Sequence, residues 1–175
     1  VIISGGEPTL QPEALVELSR MLKSELKLHI TLETNGVLFI PELTTWIDLF
    51  SISPKLASSE PSQKKNKKLE TVVEENFIRD HKKFRRNPET LQKYINACMN
   101  FGDYYGENPA STPTRKPDKD FQLKFVISLE SDIEELQTDF LEKLNFVNPE
   151  DVVLMPVGGT REFLRDSFEM TARLA

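Results

Sequence analysis

The chain opens on three consecutive apolar, β-branched residues, Val1-Ile2-Ile3, which Ser4-Gly5-Gly6-Glu7-Pro8 brings to a stop. Such a run ended by paired glycines predicts a short buried strand with a turn at its carboxyl end. Pro12 is placed to start a helix, and Leu15, Leu18 and Met21 or Leu22 recur behind it at helical spacing. Residues 28–33 read as a second strand, closed by Asn35-Gly36, and residues 41–48 as a weak short helix. Residues 49–53 read as a third strand broken by Pro54, which has no N–H to give to a ladder.

From 57 to about 87 the pattern dissolves into Ser, Pro, Lys and Glu, apart from helical spacing around 69–77, and the segment reads as an insertion. A helix follows, with Leu91, Tyr94, Ile95, Cys98 and Met99 on one face. Residues 106–120, with three prolines, predict a loop, and residues 123–129 (LKFVISL) carry the strongest strand pattern. Ser131-Asp132-Ile133-Glu134 has capping-box form and leads a helix with Ile133, Leu136, Phe140 and Leu144 inward. Residues 152–155 predict a fifth strand, ended by Pro156, Gly158 and Gly159, and Thr160 then caps a helix carrying Phe163, Leu164 and Phe168. Strand and helix alternating in this way predict an α/β fold on a parallel sheet, in one domain over 1–175.

Composition narrows the function. The net charge of −6 argues against a general nucleic-acid binder, whose phosphate contacts need a cationic excess. Lysines at 64, 65, 67 and 68 are diluted by acids at 70, 74 and 75 and read as a hydrated loop. No apolar run is long enough for a transmembrane helix or signal peptide, so the expectation is a cytoplasmic protein with no membrane partner. The single cysteine, Cys98, permits no internal disulfide and no cysteine-ligated cluster from this chain alone, and its place on an apolar helix face makes it a core thiol. The start at Val1, inside a strand, reads as a cut end of a larger domain.

In parallel α/β folds ligands bind at the carboxyl ends of the strands, and the unusual residues gather there. The first strand exits through Ser4-Gly5-Gly6-Glu7-Pro8, the second through Glu33-Thr34-Asn35-Gly36, the third through Ser53-Pro54-Lys55 and the last through Met155-Pro156-Val157-Gly158. Gly5 and Gly6 leave backbone amides open to a ligand, and with Glu7 they suit an amino acid zwitterion; a plain Gly-Gly turn accounts for the spacing equally well. Gln122 and Lys124 alternate with Leu123 and Phe125, giving that strand one polar face. His29 reads as a packed histidine, and His81 with Arg85 as a solvated helix end or a lid over an anion.

SGGEP, ETNG, SPK, LKFV and MP-x-G, in this order on successive strands, resemble the radical S-adenosylmethionine enzymes, and within them the 7-carboxy-7-deazaguanine synthase family. GGEP alone marks the superfamily and is shared with glycyl-radical activating enzymes; SPK is the sharper marker. The resemblance implies a partial (β/α) barrel, truncated at its N-terminus, and S-adenosylmethionine, a [4Fe-4S] cluster and Mg2+ as cofactors. It further implies a reducing electron donor, a homodimer, and conversion of 6-carboxy-5,6,7,8-tetrahydropterin to 7-carboxy-7-deazaguanine on the route to queuosine.

By the same resemblance Gly5, Gly6 and Glu7 hold the methionyl amino group, Ser53 a ribose hydroxyl, Lys55 a cofactor or substrate carboxylate, and Met155 and Pro156 the adenine. Glu33 reaches the ribose or the pterin, and Asn35 and Gln122 the pterin. The bland counterparts are a strand-end salt bridge for Glu33, an Asn-Gly turn for Asn35, a solvated lysine for Lys55 and core packing for Met155 and Pro156. One departure is plain: the family's CxxxCxxC cluster loop is absent from this sequence, so no catalytic or metal residue is assigned and the chain alone is expected to be inactive. The alternatives are a glycyl-radical activase and a non-catalytic binding module that keeps the rim without the cluster.

Overall fold

A computed structural model describes residues 1–61, 74–102 and 112–175. The elements run β1 (Ile2–Ile3), α1 (Pro12–Ser24), β2 (Thr31–Thr34), β3 (Leu49–Ile52), α2 (Glu75–Phe84), α3 (Pro88–Cys98) and β4 (Met99–Asn100). There follow β5 (Thr114–Arg115), β6 (Asp120–Ile127), α4 (Ser131–Glu135), β7 (Val152–Pro156) and α5 (Arg161–Leu174).

The expected parallel sheet is present, with five strands in the order β1-β2-β3-β6-β7, every neighbouring pair parallel. The order never reverses. Since crossovers between parallel strands are right-handed, an order without reversal puts every connection on the same face. Burial agrees: Leu15 of α1, Leu91, Tyr94 and Ile95 of α3, and Leu136 and Phe140 after α4 join Leu32, Phe50, Phe121 and Phe125 in one core. The opposite face carries Glu33, Ser51, Gln122 and Lys124, because buried and half-exposed residues alternate along β6 and the pleat turns alternate side chains away from the helices. Parallel sheets are ordinarily covered on both faces, so a polar second face marks the side where function is to be sought.

Several expectations shift. The second strand begins at Thr31 rather than 28, because Lys27 takes a left-handed turn (φ 53°) and Leu28 donates back to the Leu22 carbonyl. His29 therefore precedes the strand and is exposed, contrary to the packed histidine expected. β6 starts at Asp120, β5 lies where a loop was expected, and its antiparallel partner β4 takes up Met99, which the helical spacing includes, because the helix ends at Cys98. Of the helix expected over 69–77, residues 69–73 lie outside the described residues, as do the four lysines and 106–111; α2 occupies Glu75–Phe84.

The capping box at Ser131 does not form. The Asp132 carboxylate instead accepts from the backbone N–H groups of Ser128 (2.7 Å) and Leu129 (2.9 Å). Thr160 does cap α5, accepting from Phe163 N, but Phe163, Leu164 and Phe168 face outward. Ser167 and Thr171 are buried in their place, and Ser167 Oγ donates to the Val157 carbonyl. Cys98 lies fully buried in the core, as expected.

Candidate functional site

The polar row begins with strand register. Glu33 pairs across to Ser51 and Ser51 to Gln122, so their side chains share one face, and Ser4 stands next to Glu33 just beyond β1. Ser4 Oγ donates to Glu33 Oε2 (3.2 Å), Lys124 Nζ donates to Glu33 Oε1 (2.6 Å), and Gln122 Nε2 donates to Ser51 Oγ (2.9 Å). The Lys124 hydrogen bond is the main reason the Glu33 carboxyl is held below its ordinary range; burial opposes it, and the Lys124 charge and Ser4 reinforce it.

Above this row lies a cleft of about 260 Å3. Gly5, Gly6 and Glu7 enter it from the exit of β1, Glu33 and Asn35 from β2, Ser53 and Lys55 from β3, and Met155 from β7. The cleft thus unites all but two of the residues singled out in the sequence. Pro156 is in register with the buried Ile127, on the helix-facing side, and Gln122 lies one step below the cleft, occupied by Ser51.

Glu7 acts as a tie between two strand exits. Its Oε1 accepts from Thr9 N (3.2 Å), Thr9 Oγ1 (2.7 Å) and Thr34 Oγ1 (2.7 Å), and its Oε2 accepts from Asn35 N (2.8 Å). Most of the carboxylate's capacity is therefore taken by the protein itself. Next to it Gly5 adopts φ +146°, and a Cβ at Gly5 or Gly6 would meet nothing within 4 Å, so the backbone there lies bare to a ligand. Gly36 serves packing: at φ +75°, its absent Cβ would sit 2.6 Å from Ile52 Cγ2 and from Leu91 Cδ2. The Asn35 side chain accepts from Val37 N (2.9 Å), holding the same turn.

Lys55 donates to Ser53 Oγ (3.3 Å) and has no ion-pair partner among the described residues. Its side chain is exposed by area, yet the surrounding walls desolvate the ammonium enough to hold it below the usual lysine range; Lys124 pushes the same way and Glu7 opposes. Lys55 and Val126 also border an adjoining, mostly apolar cavity of about 770 Å3 that reaches His81 and Phe163. The loop bearing Lys55 is fastened to α4: Ser58 Oγ donates to Asp132 Oδ2 (2.9 Å) and Ala57 N to Glu135 Oε2 (2.9 Å). Glu135 Oε1 also receives Arg85, which ends α2, so Arg85 is an anchor, while His81 meets Ser59 Oγ (3.1 Å) beside the larger cavity.

Sequence reasoning left out Ser4, Thr34 and Ser51, and did not place Lys124 at a site. Register across four strands would have found Ser4 and Ser51, but register is not visible in a single sequence. No group of His, Cys, Asp and Glu among the described residues is arranged to hold a metal ion, and no helix among them is long and apolar enough to cross a membrane.

Fold and site together define a singly wound parallel α/β protein with a charged, glycine-rimmed cleft at the carboxyl ends of its strands. Compared with known proteins, the chain is 32% identical over 179 aligned residues to a 7-carboxy-7-deazaguanine synthase of Halobacterium salinarum. The similarity covers 100% of this chain and 58% of that relative, and it supports the resemblance carried by the motifs. No protein-family model matches the chain.

Proposed function

We propose that the chain forms the S-adenosylmethionine- and pterin-binding part of a 7-carboxy-7-deazaguanine synthase, a radical S-adenosylmethionine lyase acting on 6-carboxy-5,6,7,8-tetrahydropterin. The observation that carries this is convergence: four strand exits bearing the family-like motifs border one cleft. The relative's name and whole-chain similarity support the same reading. An unreversed parallel order with one bare polar face is what a segment of a (β/α) barrel presents, its interior being that face.

The residues fit S-adenosylmethionine. The open backbone at Gly5-Gly6 takes the methionyl ammonium through its carbonyls, Lys55, without an ion-pair partner among the described residues, supplies a cation for a carboxylate, and Ser53 offers a hydroxyl to the ribose. Met155 contributes apolar surface to the base, Glu33 serves the ribose or the pterin, and Asn35 the pterin. When bound, S-adenosylmethionine supplies hydrogen-atom abstraction from an unactivated carbon; this chain binds, orients and excludes water.

The residues do not fit the cluster. Cys98 is the sole cysteine, it donates to the Asp120 carbonyl (3.3 Å) inside the core, and burial pushes its thiol up to about 12. No step is therefore assigned to an iron–sulfur centre held by these residues.

The test uses the full-length protein, reconstituted with iron and sulfide and given a reductant, S-adenosylmethionine and the carboxytetrahydropterin. Formation of 7-carboxy-7-deazaguanine by mass spectrometry is the expected result. Cofactor cleavage only with a protein substrate identifies an activase, and binding without cleavage a non-catalytic module; either outcome overturns the proposal.

A further inference from the structure

The cleft holds four charged side chains, Glu7, Glu33, Lys55 and Lys124, with very different spare capacity. Glu7 is committed to Thr9, Thr34 and Asn35. Lys124 lies low in the site, its side chain 16% exposed against 39% for Glu33, and its ammonium is given to Glu33 Oε1. What remains open to a ligand is the donor Lys55 and the acceptor Glu33, whose Oε2 has, among the described residues, only the long contact from Ser4 Oγ. A carboxylate offers about four lone-pair positions, and here two are taken.

We propose that Lys124 is a positioning residue, which holds the Glu33 carboxylate turned into the cleft as the acceptor for two adjacent N–H or O–H donors of the ligand. The inference rests on the reading of this cleft as a cofactor and pterin site, and both ligands own such a donor pair: the vicinal hydroxyls of a ribose and the amino-pyrimidine edge of a pterin.

The physical reason lies in the surroundings of Glu33. Partial burial favours the protonated form, while Glu7, on the neighbouring strand exit, lines the same cleft with its carboxylate turned to Thr9, Thr34 and Asn35. A protonated Glu33 would present a donor where the ligand also presents donors. Lys124, on β6, counters burial through its hydrogen bond and its charge, while Ser4, beyond β1, adds a weaker hydrogen bond and Lys55, after β3, faces the same cleft. Because β6 is flanked by β3 and β7 and its helix-facing side is locked in the core, Lys124 has a fixed base from which to aim the pair.

The experiment is calorimetric titration of the full-length protein between pH 5 and 8 with two probes, S-adenosylhomocysteine for the ribose and 6-carboxypterin for the pterin edge. The variants are Lys124→Met, Lys124→Arg and Glu33→Gln. For the probe that uses Glu33, the ratio of Lys124→Met to wild-type affinity should fall about twofold to threefold from pH 8 to pH 5, part of the tenfold limit that one unit of pKa reaches only below both pKa values. Lys124→Arg, which keeps the cation, should restore the wild-type profile. Glu33→Gln should weaken that probe at pH 7 and remove the difference in profile, and the probe affected tells which ligand supplies the donors. A folded Lys124→Met protein with the wild-type profile for both probes overturns the inference alone. Should that variant not fold, undiminished binding of both probes by Glu33→Gln does the same. If the wild-type protein binds neither probe, the reading of the cleft itself falls.

Discussion

Glu7 is the sharpest place to separate a ligand from a brace. Replacing it with alanine removes the acceptor of two backbone amides and of two hydroxyls, those of Thr9 and Thr34, which are 1% and 5% exposed. A hydrogen bond to a charged group contributes about 1.5–3 kcal/mol, and a stranded buried donor costs a similar amount. The four bonds are not additive, because the half-buried amide of Asn35 can turn to water and the hydroxyls can rotate. Two stranded hydroxyls and one lost charged acceptor give a destabilisation of about 3–5 kcal/mol, or roughly 10 °C in Tm for a protein of this size. Glu7→Gln keeps an oxygen for the three donors at Oε1 but sets its NH2 against Asn35 N–H, and should cost about 1–2 kcal/mol. Urea unfolding of the full-length protein, followed by circular dichroism, measures both. If Glu7→Ala shifts stability by less than about 0.5 kcal/mol while abolishing S-adenosylmethionine binding, the brace is wrong and Glu7 is a ligand.

Gly36→Ala forces a Cβ into Ile52 and Leu91 at a left-handed residue and should lose about 2–4 kcal/mol in the same unfolding assay. Cys98 should resist iodoacetamide at pH 8 in the native protein and label only after denaturant is added, since its thiol is raised to about 12. For Asp48, burial works to raise the carboxyl, but hydrogen bonds from Lys23 (2.5 Å) and Ile30 N (2.7 Å) outweigh it and leave it below the usual range. Its contribution is therefore present above the unfolded pKa and lost as pH falls through the folded one, and Asp48→Asn should flatten that acid limb of a stability–pH curve. Asp132→Ala should raise hydrogen exchange at residues 54–59 and 128–129 ahead of the sheet, because one carboxylate oxygen serves Ser58, Ser128 and Leu129 together.

The sheet was legible because strands with one face buried carry period two, and β6 shows it for eight residues. The pair β4–β5 was not, since two-residue strands hold no period at all. On α5 the apolar triplet drew attention to the wrong face: the inward positions are Ser167 and Thr171, whose hydroxyls return to backbone carbonyls and so pass as interior residues. The strand exits were found from their glycines, prolines and charges. What they do to one another was hidden, because Glu7 meets Thr34 across 27 positions and Lys124 meets Glu33 across 91, separations that only strand register defines.

On α4, Asp132 and Glu135 stand one helical turn apart and between them grip the stretch after β3, the exit of β6 and the end of α2. Three stretches of backbone remote in sequence are thereby clamped by a single short spindle. A displacement of the end of α2 would be delivered through Arg85 and Glu135 to Ala57, two residues from Lys55. Changes well outside the cleft can accordingly retune its cationic end without altering any residue that lines it.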